Sequence, residues 1–103
     1  MRFIVTASWP VASGNAAARA GTLAGTVQAI LEDIKPEACY FAAVNGKRTA
    51  IMVVDLADAS QIPAVAEPWF LAFDASIEVI PVMLPGDLAA AGPAIEAAVK
   101  KFG

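Results

Sequence analysis

Two carboxylates and one phenol are the side chains of this 103-residue chain best suited to moving a proton. Asp55 and Glu78 each lie in a predicted strand, and Tyr40, the sole tyrosine, lies early in another. We expect the three at one rim of a sheet, where either carboxylate would act as a base and Tyr40 as a donor. The alternative is that Asp55 merely lies at a strand end near the next helix and that Glu78 is solvated, because charged side chains are mostly exposed.

A second group of side chains could hold a ligand beside that rim. It combines hydroxyl groups, large rings and one aliphatic side chain: Thr6, Ser8, Trp9, Tyr40, Thr49, Ile51 and Trp69. Thr6 and Ser8 end the first predicted strand and Trp9 follows them, whereas Trp69 belongs to a later helix that could cover the mouth. For both tryptophans the competing interpretation is an anchor in the core or in a subunit interface, where aromatic residues are enriched.

Missing residue types exclude several kinds of chemistry. The chain has no histidine, so it has neither the usual proton shuttle of neutral pH nor a Ser-His-Asp or Cys-His arrangement. No glycine-rich nucleotide fingerprint is present, and a single cysteine, Cys39, builds neither a disulfide framework nor a metal site. We therefore expect no cofactor and no metal, with Cys39 in the core.

The composition points to self-association. Hydrophobic residues make up 58% of the chain and charged residues 17%, against about 45–50% and 25% in ordinary domains. A membrane span would need about 18 nearly continuous apolar residues, which the chain lacks, so the surplus favours a subunit interface. The net charge of −3 and scattered basic residues argue against nucleic acid as a partner. We expect one domain over residues 1–103, located in the cytoplasm.

The first half of the chain predicts a strand, a helix and a hairpin. Residues 2–8 form the strand, and an apolar stripe spaced by three and four residues predicts one helix from the cap Ser13 to about Lys35. Within it, "GTLAG" at 21–25 indicates close backbone approach. Two β-type runs then flank Asn45–Gly46, whose residues tolerate the positive φ of a type I′ turn.

The second half predicts a helix, a strand and a last helix. Ser60 caps a segment over about 61–74 that Pro68 should divide into two pieces. "SIEVIPVML" at 76–84 is the fourth strand, and Asp87 or Pro93 opens an alanine-rich helix. The order β-α-β-β-α-β with right-handed crossovers puts strands one and three in the centre, so Pro81 lies on an edge strand, where proline is tolerated.

The predicted fold is therefore α+β and ferredoxin-like, with a four-stranded antiparallel sheet and an added C-terminal helix. Alternation along the hairpin gives one apolar face, which the helices should cover; it consists of Cys39, Phe41, Ala43, Ala50, Met52, Val54 and Leu56. The other face mixes polar residues with Ile4, Ile51, Val53, Ile80 and Val82, too apolar to face water. Packing it on a second copy would bury them around a partly polar cavity.

The element order resembles the dimeric α+β barrel proteins, which include muconolactone isomerases and cofactor-free monooxygenases. Within them, "MRFIVTASW" and "PWFLAFDASIEVIPVM" are similar to a bacterial family of unknown function that has a Trp-containing helix and a V-x-P-V strand. Pro63, Pro68 and the alanine content depart from that pattern. The resemblance implies a homodimer joined through the sheet face and edge strands, and it supplies no catalytic residues.

Three functions follow from these observations. The first is a homodimer that binds or senses a largely apolar or aromatic small molecule. The second is a cofactor-free isomerase or monooxygenase acting on an aromatic or enolisable compound through Asp55 or Glu78, with Tyr40. The third is a structural dimer without a ligand.

Overall fold

Four strands and five α-helices build the protein, and the computed structural model describes all residues from Met1 to Gly103. The elements, in chain order, are β1 (Arg2–Ser8), α1 (Val11–Ala20), α2 (Leu23–Ile34), β2 (Ala38–Val44), β3 (Lys47–Asp55), α3 (Ile62–Phe73), β4 (Ser76–Pro81), α4 (Pro85–Ala90) and α5 (Gly92–Phe102). No helix here combines the length and apolar character needed to cross a membrane.

One antiparallel sheet holds all four strands in the order β2-β3-β1-β4. Thr6 in the centre pairs with Ile51 on β3 and with Glu78 on β4. The α+β fold and the ferredoxin-like order are thus confirmed. Pro81 ends the edge strand β4 opposite Phe3, and the ladder continues one residue beyond it, where the Val82 N–H donates to the Arg2 carbonyl at 3.0 Å.

The core lies between the central strands and the helices. Its buried strand residues alternate as the sequence predicts: Val5, Ala7, Ala50, Met52 and Val54. Three rings fill the helix side, since Trp9 stacks on Trp69 with centroids 5.7 Å apart and on Phe73 at 4.9 Å. The core interpretation of the two tryptophans is therefore confirmed, and neither ring lies on the opposite sheet face.

The predicted long helix is in fact two helices. Gly21 adopts a φ of 75°, which ends α1, and α2 starts two residues later. Ser13 is not a cap but an α1 residue, and its hydroxyl donates to the Phe73 carbonyl at 2.7 Å. The "GTLAG" segment marks this break, because only glycine adopts a left-handed conformation at no steric cost. The close backbone approach predicted for this segment is wrong, since a Cβ at Gly21 or Gly25 would meet no neighbouring atom within 4 Å.

The segment after β3 also differs from the prediction. Asp58 rather than Ser60 is a cap, and it caps a short 3₁₀ helix, Ala59–Gln61, that leads into α3; its carboxylate accepts from the Ser60 N–H at 2.9 Å. Pro68 does not divide α3, which continues from Ile62 to Phe73. Packing overrides local preference here, because Val65 before Pro68 and Trp69 and Phe73 after it are all buried in the core.

Two parts of the chain lie outside this core. The first is the C-terminal arm, defined as residues 82–103, in which α4 and α5 replace the single predicted helix. The second is β2, where every residue from Tyr40 to Val44 is exposed. Phe41 is 55% exposed, so the prediction that the helices would cover Phe41 and Ala43 is wrong. The helices reach β3 but stop short of this edge strand.

Candidate functional site

The predicted acid–base residues do not share one rim. Tyr40, Ile51, Thr6 and Glu78 form one row across the four strands, with Tyr40 and Glu78 at its two ends. Three strand spacings separate these ends, or about 14 Å, so the phenol and the carboxylate cannot reach one substrate atom. The prediction that the strand ends gather these groups is wrong within one copy.

Asp55 lies at the other end of the sheet, because β1 and β3 are antiparallel. It pairs with Arg2, whereas Ser8 pairs with Thr49. The N-terminal ammonium group donates to its carboxylate at 2.9 Å, and this hydrogen bond lowers the pKa of Asp55. A carboxylate held ionised by a cation is a poor match for a general base that must take up a proton near neutral pH.

Several predicted ligand contacts do lie together. Thr49 is buried, and its hydroxyl donates to the Ser8 hydroxyl at 3.1 Å. The Trp9 N–H extends the strand pairing by donating to the Arg48 carbonyl at 3.1 Å. Trp9 and Thr49 both reach a groove on the protein surface, whereas Thr6, Tyr40 and Ile51 do not line it.

The groove runs between α2 and the hairpin of β2 and β3 and has a volume of about 890 Å³. It exists because α2 leaves the inner side of β2 uncovered. Its lining is largely apolar: Trp9, Ala18, Leu23, Ala24, Val27, Leu31, Phe41, Ala42 and Ala43, with Gly21, Gln28, Arg48 and Thr49 as the remaining members. Ligand pockets for small molecules have such volumes and such linings.

Arg48 supplies the only cationic group of the groove. Its Nη1 donates to the Asn15 side-chain oxygen at 3.0 Å, and no carboxylate of the chain forms an ion pair with it. Beside it the Trp9 indole Nε1 is buried without a hydrogen-bond partner. Gly14 lets both approach the helix, since a Cβ there would lie 2.5 Å from Nη1 and 2.9 Å from Nε1.

The sequence prediction overlooked Arg48, although a signal was present. Strand alternation places Arg48 on the side of Ala50 and Met52, where a charged residue is unexpected.

Cys39, the single cysteine of the chain, is half-buried, and burial raises the pKa of its thiol. Cys39 therefore packs against the core and does not lie within it as predicted.

The fold and groove define a small α+β protein with an open antiparallel sheet and one apolar surface groove that ends at an arginine. Residues 1–96 match the profile of the family described as Domain of unknown function (DUF3303). The chain belongs to this family, which confirms the resemblance to an uncharacterised family of small proteins. No curated protein matches the chain.

Proposed function

We propose that this protein binds a small, largely apolar molecule and works as a homodimer in the cytoplasm. The observation that supports binding is the groove of about 890 Å³ between α2 and the hairpin, whose walls are mostly aliphatic and aromatic. In water such a surface is unfavourable unless covered, and a ligand that covers it gains about 25 cal/mol for each Å² buried.

The polar end of the groove selects the ligand's chemistry. Arg48 is half-buried and has only a neutral amide oxygen as partner, so an anionic group would find a free guanidinium there. The apolar side of α2, formed by Leu23, Val27 and Leu31, would contact the rest of the ligand. An aromatic or aliphatic carboxylic acid satisfies both requirements.

The open sheet face supports the dimer. Ile4, Ile51 and Val53 are only half-buried, and Ile80 is 41% exposed on the edge strand. These residues share one face, with Thr6 and Glu78 among them, and the helices pack on the other. A second copy packed on this face would remove the aliphatic side chains from water.

A ligand panel tests the proposed function. Aromatic carboxylic acids and quinones are titrated while melting temperature and tryptophan fluorescence are followed, because Trp9 lines the groove and should report an occupant. Binding should raise the melting temperature, and carboxylates should exceed their methyl esters if Arg48 takes part. A flat response to every compound contradicts ligand binding and leaves the structural dimer.

Paired variants locate the site. Val27→Trp fills the middle of the groove and should weaken binding at least tenfold, whereas Leu71→Trp places the same ring on an 81% exposed position of α3, outside the groove. Arg48→Gln should weaken carboxylate binding and leave neutral quinone binding nearly unchanged. Equal losses in Val27→Trp and Leu71→Trp would contradict the groove as the site.

A further inference from the structure

The C-terminal arm carries an apolar stripe that nothing in its own chain covers. On α5, Ile95, Val99 and Phe102 are spaced as one helix face and are 52%, 60% and 82% exposed. The only substantial packing of α5 is with the six-residue α4. Not one residue of the arm is buried.

A helix in this situation needs a partner to persist. Isolated helices below about 12–15 residues are marginal in water, and α5 has 11 residues. Lys100 and Lys101 in its last turn stabilise the helix dipole by only a few tenths of a kcal/mol each. The helix is therefore expected to depend on burial of its stripe.

The overall dimensions show that the chain exposes more surface than a compact chain of the same size. The radius of gyration is 17.4 Å, against roughly 13 Å for a compact chain of this length. The accessible surface is 6689 Å², against about 5,500 Å² expected for this mass. The excess of about 1,200 Å² per copy exceeds the roughly 800 Å² that each partner buries in a standard stable complex.

The sheet order decides where a second copy would meet the arm. The arm follows β4 at one edge of the sheet, while the uncovered strand β2 forms the other edge. If two sheets face each other across a two-fold axis along the strands, β2 of one copy lies over β4 of its partner. The partner's arm then emerges level with Ala38 at the start of β2. By running back along this strand it would reach Tyr40, Phe41 and Val44, which are exposed.

We propose that the C-terminal arm of each copy docks on β2 of a second copy, with the stripe of Ile95, Val99 and Phe102 against the exposed side chains of that strand. Phe41 also lines the groove, so the partner's arm forms an outer wall of the ligand site. This inference rests on the homodimer proposed above. It adds that the two copies exchange their C-terminal arms and that each groove gains an outer wall from the partner's arm, which a single copy lacks.

Sedimentation velocity of the full chain tests whether the stripe on α5 contributes to dimer formation. Two variants of α5 that introduce the same charge at different positions are compared. Val99→Glu puts a carboxylate in the stripe, and Ala97→Glu puts the same group on the opposite helix face. Losing a tenfold contribution at each of two symmetric contacts should raise the dimer dissociation constant of Val99→Glu about a hundredfold. Ala97→Glu should stay within about threefold of the unaltered protein.

The possible outcomes separate the two proposals. A dimer that Val99→Glu and Ala97→Glu leave equally intact overturns the docked arm and retains the homodimer. A single-copy particle at all concentrations up to about 100 μM, well above the dissociation constants of stable dimers, overturns both.

Cross-linking tests where the arm docks. Two full-length copies with different affinity tags, both Cys39→Ser, are refolded together, one with Ala42→Cys on β2 and the other with Val99→Cys. A short bis-maleimide should give a mixed covalent dimer, and replacing Val99→Cys by Ala97→Cys should reduce its yield at least fivefold. Equal yields from both arm positions would overturn docking on β2.

Discussion

Adding one methyl group at Gly14 should test how tightly the groove's polar end is built. Gly14 and Gly25 both lie inside helices, α1 and α2, so alanine at either should gain about 1 kcal/mol from helix propensity. Around Gly25 no atom lies within 4 Å of a new Cβ. Gly25→Ala should therefore increase the free energy of unfolding by about that amount.

At Gly14 the same methyl group would lie too close to two side chains. Its Cβ would lie 2.5 Å from Arg48 Nη1, which can swing away, and 2.9 Å from Trp9 Nε1, which cannot. Trp9 is 2% exposed and packs against both Trp69 and Phe73. Overpacking of a fixed ring costs about 1–3 kcal/mol, so Gly14→Ala should lose about 1 kcal/mol net.

Urea denaturation and thermal melting measure this difference. The two alanine variants should differ by about 2 kcal/mol in unfolding free energy, or about 10 °C in melting temperature for a domain of this size. Gly14→Ala should also weaken carboxylate binding, because the new methyl group displaces the Arg48 guanidinium from its position in the groove. If Gly14→Ala stabilises the protein as much as Gly25→Ala, the close approach of Arg48 and Trp9 is refuted.

Three further predictions concern stability. Trp69→Ala removes a fully buried ring and should lower the unfolding free energy by about 3–5 kcal/mol in urea denaturation; a loss below 1 kcal/mol would contradict the ring cluster. Gly46→Ala should cost about 1 kcal/mol, because Gly46 has a φ of 74° in the hairpin turn, whereas Gly25→Ala gains. Asp55 has a lowered pKa, so its contribution to stability is complete above the unfolded value of about 3.9 and is lost as the pH falls through the folded one. Asp55→Asn should therefore make the unfolding free energy depend less on pH below about pH 4. If this dependence is unchanged in the variant, the N-terminal ammonium does not stabilise the ionised Asp55 carboxylate.

The sheet was predictable because its signals are local. Asn45–Gly46 selects the hairpin turn and so sets which residues face each other, and the pairing of Phe41 with Ala50 follows directly. Pro81 indicates an edge strand because proline has no N–H to donate to a neighbouring strand. Each of these depends on two or three neighbouring residues and on no distant contact.

The helix boundaries and the site were less predictable, because they depend on packing. Pro68 stays inside α3 since Trp69 and Phe73 hold the helix against the core, which no local preference reveals. The groove arises where α2 fails to cover β2, and sequence alternation places Phe41 on the covered side without showing that the helices stop at β3. The grouping of Asp55 with Ser8 failed for a simpler reason, since the strands run in opposite directions.

Native mass spectrometry of protein purified without added ligand tests the central claim most directly, because it reports copy number and bound mass together. We expect a particle of twice the 10.6 kDa chain mass that carries a small acid or binds one when an aromatic carboxylate is added. A single-copy particle that gains no mass from any carboxylate at micromolar protein would contradict it.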